Sequence, residues 1–193
     1  MKKDRTHRIN TTRFFALILV FFLAVTLGCA ASGGKNSGSP QAGIMQPMEI
    51  PENVSCGKCG MYPAQYPRWQ SQIIFKDGSM TPFDGCKCMF NFLFAMAEYD
   101  KTHSRDDVSV TWVKDFNSGT WINAEEAFYV VGSKMMGPMG KELIPFSDQA
   151  AAMKFHQEQG GTMMNYAEIT PGVLKSLGME GMKMEHGSKH MEM

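Results

Sequence analysis

The polarity pattern of the chain separates into short β-type alternations and one helix that is apolar on nearly every face. Ser71-Gln-Ile-Ile-Phe75 and Met80-Thr-Pro-Phe83 flank Lys76-Asp77-Gly78-Ser79, which predicts a β-hairpin closed by an Asp-Gly turn. A helix is predicted from Cys86 to about Tyr99, with Asp84 placed to cap it. Its apolar residues Met89, Phe90, Phe92, Leu93, Phe94, Met96 and Ala97 cover nearly every face, so it is expected to be buried. Val108 to Val113 alternates as a half-buried strand. The same ββαβ order then recurs. Ala127 to Val131 and Lys141 to Ile144 are two strands, Asp148 to Gln159 is a helix with Ala151, Ala152 and Phe155 inward, and Thr162 to Ile169 is a final strand. Pro82-Phe83-Asp84 and Pro145-Phe146-Ser147-Asp148 precede the two helices in the same place. The expected fold class is α+β, built from two small related ββαβ lobes over residues 51–118 and 119–176.

Both ends of the chain depart from this pattern. A basic stretch to Arg13 leads into an apolar run from Phe14 to Leu27, interrupted only by Thr26. The run is shorter than the ~20 residues a membrane-crossing helix needs, so residues 1–28 read as a secretory signal. Thr26-Leu27-Gly28-Cys29 resembles a bacterial lipobox, which would make Cys29 the lipidated first residue of an exported protein held at a membrane surface. Residues 29–50, Gly/Ser-rich at their start, read as a flexible tether. Residues 177–193 read as a disordered Met/His-rich tail that includes Met182, Met184, His186 and His190, since from Met179 onward no large apolar residue other than methionine is present.

Charge narrows the choice of partners. The chain has 19 basic and 19 acidic residues, and five of the basic ones lie in the signal segment with a single acid. The exported part is therefore mildly acidic, which argues against nucleic acid as a partner. No phosphate loop, dinucleotide fingerprint or Ser-His-Asp arrangement is present, and His103 and His156 stand alone as solvated or core residues. The expectation is a protein that is not an enzyme.

Sulfur is the anomaly, with 18 Met and 5 Cys in 193 residues. Apart from Cys29, the cysteines form two close pairs, Cys56-Gly57-Lys58-Cys59 and Cys86-Lys87-Cys88. Three readings stay open for them: disulfides between the pairs, structural zinc, or a site for a soft transition metal. Thioethers sit nearby in sequence. Met61 follows Cys59 by two, and Met135, Met136 and Met139 lie among Gly and Pro in a segment that cannot be a core helix. Thiolate with thioether is the donor set that Cu(I) prefers. Met89, Met96 and Met153 lie in apolar helix patterns instead and read as core.

The run Cys59-Gly60-Met61, the segment from Tyr129 to Lys134, Met136-Gly137-Pro138-Met139-Gly140, and Ile144 to Asp148 followed by Gly160-Gly161 resemble the NosL family over roughly residues 52–176. These are accessory lipoproteins of nitrous-oxide reductase maturation. The resemblance implies a periplasmic Cu(I)-binding chaperone with a two-lobed NosL-like domain, delivering copper through a membrane transporter complex to the apo-reductase. It places the family's Cys-x-Met on Cys59 and Met61, and its loop methionines on Met136 and Met139. Cys56, Cys86, Cys88, Met135 and the tail lie outside that pattern, as an extension of the site, a disulfide, or a feature of this branch. The alternatives are a thiol–disulfide redox protein or a zinc-stabilised interaction module using Cys56, Cys59, Cys86 and Cys88.

Overall fold

The computed structural model describes residues 44–178. The signal segment, Cys29 and the tail residues Met182, Met184, His186 and His190 lie outside them. Strands β1 (Ser71–Phe75) and β2 (Met80–Phe83) form the expected hairpin, and helix α1 (Cys86–Phe94) follows. After the short helix α2 (Met96–Tyr99) come β3 (Val108–Lys114) and β4 (Trp121–Asn123). The second half contributes β5 (Phe128–Gly137), β6 (Gly140–Phe146), helix α3 (Gln149–Gln159), β7 (Thr162–Asn165) and helix α4 (Pro171–Ser176).

The two sheets share one plan. The first is ordered β2-β1-β3-β4 and the second β6-β5-β7, both antiparallel, with the central strand in each flanked by its hairpin partner and by the strand after the helix. The sequence repeat sits in matching register. Ser71 opposes Phe83 and Gln72 opposes Pro82 in the first sheet, while Phe128 opposes Phe146 and Tyr129 opposes Pro145 in the second. Phe83 and Phe146 are both completely buried. Strand β4, which the alternation pattern did not predict, extends the first sheet by three residues.

Helix α1 is apolar all round because it has a neighbour on both sides. It packs on β1 and β2 of one sheet and on β6 of the other. Phe92 meets Phe83 edge-on, while Phe90 packs against Tyr129 and Tyr166. Successive residues of β5 face opposite ways. Tyr129 and Val131 join the cluster around α1, while Val130 joins a second cluster with Phe116, Ile144, Phe146 and Ala152 beneath α3. Asp115, just after β3, ties the halves together: its Oδ2 accepts from the backbone N–H and hydroxyl of Ser147, at 2.7 and 2.9 Å.

Several local expectations change. The long helix breaks at Ala95, which leaves Phe94 40% exposed and returns Met96 to the core. Asp84 does not cap α1; Gly85 is the N-cap residue and makes no side-chain bond. Strand β5 continues through the methionines instead of ending at Val131, with an irregularity at Gly132 (φ 70°) and a tip at Pro138-Met139 closed by Gly140 (φ 83°). Strand β7 stops at Asn165 because Asn165 and Glu168 cap one another's backbone N–H groups and start a 3-10 turn. Met89 and Met96 are core as expected, whereas Met153 is 46% exposed, since α3 buries mainly its Ala152 and Phe155 side. The end of the predicted tether is pinned. The Gln72 side-chain amide bonds both the N–H and the carbonyl of Met48 at 2.9 Å, and Trp112 Nε1 donates to the Met45 carbonyl.

His103 closes the far end of the first hairpin. Its ring stacks on Phe75 with centroids 3.9 Å apart, Nδ1 lies 2.8 Å from Asp100 and Nε2 lies 3.2 Å from Asp77. Hydrogen bonds to Asp100 and then Asp77 raise its pKa above the usual 6.5, while the Ser79 hydroxyl helps hold Asp77 down at about 2. The contact therefore stabilises the fold fully below pH ~6.5 and is lost as pH rises through the elevated folded value. We expect His103→Ala to lower Tm at mildly acid pH, with the difference from wild type shrinking on the alkaline side. A Tm difference that is constant with pH would contradict the pairing.

Candidate metal centre

Residues 56–61 fold into a tight loop ahead of β1. The Cys56 N–H donates to the Met61 carbonyl at 2.6 Å, and the Gly60 N–H donates to the Cys56 carbonyl at 3.1 Å. Gly60 takes a positive φ of 80°, which favours glycine. The loop is pinned to β2 by a bond from the Gly57 N–H to the Pro82 carbonyl, and a Cβ on Gly57 would run into the Thr81 side-chain methyl. A side chain at 57 would have to displace that methyl for the loop to approach β2 this closely.

That approach sets the two cysteines of the loop beside the start of α1. One ligating atom each from Cys56, Cys59, Asp84 and Cys88 lie within 4.8 Å of one another. Cys86 does not join them. Two residues of helix rotate a side chain by about 200°, so Cys86 and Cys88 leave the first turn in nearly opposite directions. Cys86 is buried, and its thiol is pushed well above the usual range by burial and then by the charge of Glu142. All four cysteines of the described residues are free thiols, so no disulfide links the two pairs.

The cluster is electrostatically uneven. Cys59 is held down to about 4, chiefly by side-chain hydrogen bonds from Cys56 and then Cys88, which favours its thiolate form. Cys88 is pushed far up by its hydrogen bonding with Cys56 and Cys59 and by burial. Asp84 rises to about 6, mainly through burial. When protonated, Cys59 donates to Asp84 Oδ1 over 3.4 Å, and Asp84 Oδ2 has no partner among the described residues.

The tip of the second sheet's hairpin reaches the helix turn that carries Cys88. The Lys87 ammonium, between Cys86 and Cys88 in sequence, donates to the Met139 carbonyl at 2.7 Å. Glu142 on β6 supplies the cap that Asp84 does not: its Oε2 accepts from the Lys87 backbone N–H at 3.0 Å. Burial raises the Glu142 carboxyl to about 7 despite this bond.

The methionines are divided by this geometry. Met139 is half-buried against the cluster that contains Cys56 and Cys88, and Cys59 packs on the same cluster. Met61 is half-buried in the cysteine loop. Met136 is 56% exposed on β5, and Met135 on the opposite face packs with Trp69 against the second core. Asp84, Lys87 and Glu142 were not legible as site residues. Asp84 carries the ordinary signal of a helix cap, and the roles of Lys87 and Glu142 depend on a contact between halves more than 50 residues apart.

Residues 47–174 match the NosL family. The chain belongs to the NosL family. It is 27% identical over 187 residues to the copper-binding lipoprotein NosL of Stutzerimonas stutzeri, covering 95% of this chain and 90% of that one. A second NosL, the copper-binding lipoprotein of Achromobacter cycloclastes, is 42% identical over 65 residues, a third of each chain. The crystal structure of the copper chaperone NosL from Shewanella denitrificans is similar at a TM-score of 0.58 and 28% identity, covering 66% of this chain and 97% of that one. The α+β plan of two antiparallel sheets is thus a NosL fold.

Proposed function

We propose that this chain is an extracytoplasmic, lipid-anchored Cu(I) carrier that delivers copper during maturation of nitrous-oxide reductase. The observation that carries the reading is the convergence of Cys56, Cys59 and Cys88 within 4.8 Å of one another, next to Lys87, whose ammonium holds the Met139 carbonyl at the hairpin tip. Copper-binding lipoproteins among the relatives support the metal and the anchor, which here would be attached at Cys29. Cys59 supplies the charge, Met61 a soft neighbour, and Met139 or Met136 the closing donor from the second lobe. Residues 51–118 and 119–176 act as the two lobes that meet at the ion. The tail, with Met182, Met184, His186 and His190, gathers copper at lower affinity.

A carrier must release what it holds. One thiolate and one or two thioethers leave a coordination position that a recipient's ligand can enter, so the ion passes through a shared three-coordinate state without being freed. The partners are the apo-reductase and the membrane transporter complex of its maturation system. The test is anaerobic mixing of the Cu(I)-loaded full chain with apo nitrous-oxide reductase in the presence of a chromophoric Cu(I) chelator. The carrier reading predicts that copper reaches the reductase without colouring the chelator. Copper that stays on the chain, or passes only to the chelator, contradicts it. Thiol–disulfide exchange would instead give turnover in an insulin-reduction assay, and none is expected.

A further inference from the structure

The first sheet carries α1 on one face and a strap of extended chain on the other. Side chains alternate between the faces of a sheet. Ile73, Phe75 and Val113 pack in the cluster around α1, so Gln72, Trp112 and Lys114 point to the opposite side. Residues 45–50 cross that side, held by the Gln72 amide at Met48 and by the Trp112 indole at the Met45 carbonyl. The strap exposes apolar groups outward: Ile44 is 58% and Met48 42% exposed. Trp112 and Trp121 are half-buried, and Lys114 lays its ammonium over the Trp121 ring, 4.1 Å from the centroid. Met48, Lys114 and Trp121 line one shallow cleft together with Glu49 and Glu52. Two of the three tryptophans of the chain thus stand on one face beside exposed apolar side chains. Indole rings with one wet side are the side chains that settle at a membrane–water interface.

We propose that this face, with Ile44, Met48, Trp112 and Trp121, rests on the surface of the bilayer that holds the lipid anchor. The occupant follows from the length of chain that leads to the face. Fourteen residues, 30–43, separate Cys29 from Ile44. A Gly/Ser-rich chain of that length spans about 20 Å on average. Attachment at Cys29 therefore makes the contact intramolecular, at an effective concentration on the order of mM, so a face of low intrinsic affinity still docks. Charge selects the lipid chemistry. Lys114 is offset by Glu49 and Glu52, so the contact is apolar and needs no anionic headgroup. Because α1 and its Cys88 pack on the opposite face of the same sheet, docking turns the cysteine cluster away from the bilayer and toward soluble partners. The proposal rests on lipid attachment at Cys29 and is independent of the metal.

The test places the lipidated full chain in phosphatidylcholine vesicles whose acyl chains carry bromine, a contact quencher of tryptophan, with vesicle flotation reporting the anchor. The expected result is flotation together with quenched tryptophan emission. Ile44→Ser with Met48→Ser, both at exposed positions that leave the core intact, should float equally well while shifting the docking equilibrium roughly tenfold toward the undocked form, seen as lost quenching. Met153→Ser, an exposed methionine on α3, should change nothing. Trp69→Phe should keep the quenching, since Trp69 packs on the second core cluster. Flotation without quenching would overturn the docking face and leave the anchor standing. Quenching that persists in Ile44→Ser with Met48→Ser, disappears in Trp69→Phe, or requires anionic lipid would overturn it too. A chain that does not float has no anchor, which removes the lipid reading and the docking face together.

Discussion

Replacing Cys59 with serine is expected to lower Cu(I) affinity by at least ~100-fold, or about 2.8 kcal/mol. Hydrogen bonds from Cys56 and Cys88 hold the Cys59 thiol well below its usual range, at about 4. A serine hydroxyl cannot supply a thiolate, and oxygen is a poor donor for a soft ion. The right control is Met153→Leu, since Met153 is 46% exposed on α3 and belongs to neither core cluster. It should leave affinity unchanged. Competition against a chromophoric Cu(I) chelator measures both variants, and equal losses would mean that Cys59 has no special part in holding the ion.

Phe90→Ala should be the most destabilising of the aromatic truncations, by about 3–5 kcal/mol. Phe90 is 2% exposed on α1 and packs its ring against Tyr129 at 5.6 Å and Tyr166 at 5.2 Å, so it joins the cysteine helix to the second half of the chain. Removing it opens a cavity where α1 meets Tyr129 and Tyr166. Thermal unfolding should shift down by roughly 10–20 °C for a domain of this size. Phe94→Ala, four residues on and 40% exposed, should shift it far less. Comparable shifts for the two variants would contradict the assignment of α1 as the layer between the sheets.

The sequence carried the architecture through patterns with a single physical meaning. A helix apolar on every face can only lie between two layers, and α1 does. The Pro-Phe repeat before each helix marked equivalent strand positions, and Phe83 and Phe146 occupy the same register in the two sheets. Cysteine proximity was legible in part. Cys56, Cys59 and Cys88 converge, but close spacing in sequence misleads on a helix, where Cys86 and Cys88 diverge. Gly and Pro dominate the composition of the methionine segment and exclude a core helix there. In the structure its glycines provide the irregularity and the tight tip of a long hairpin, which leaves Met136 in solvent and Met139 against the core. Asp84 and Glu142 illustrate the remaining difficulty. An aspartate just before a helix has the local signature of a cap, and only the tertiary approach of β6 shows that Glu142 takes the capping role. No local pattern contains that exchange.

X-ray absorption at the copper edge of the Cu(I)-loaded full chain measures the central claim directly. A first shell of two or three sulfurs with no nitrogen or oxygen, losing one sulfur in Cys59→Ser, is the predicted spectrum. A shell dominated by nitrogen or oxygen, or one unchanged by that substitution, would show that the thiols at 56, 59 and 88 and the neighbouring thioethers are not where copper resides.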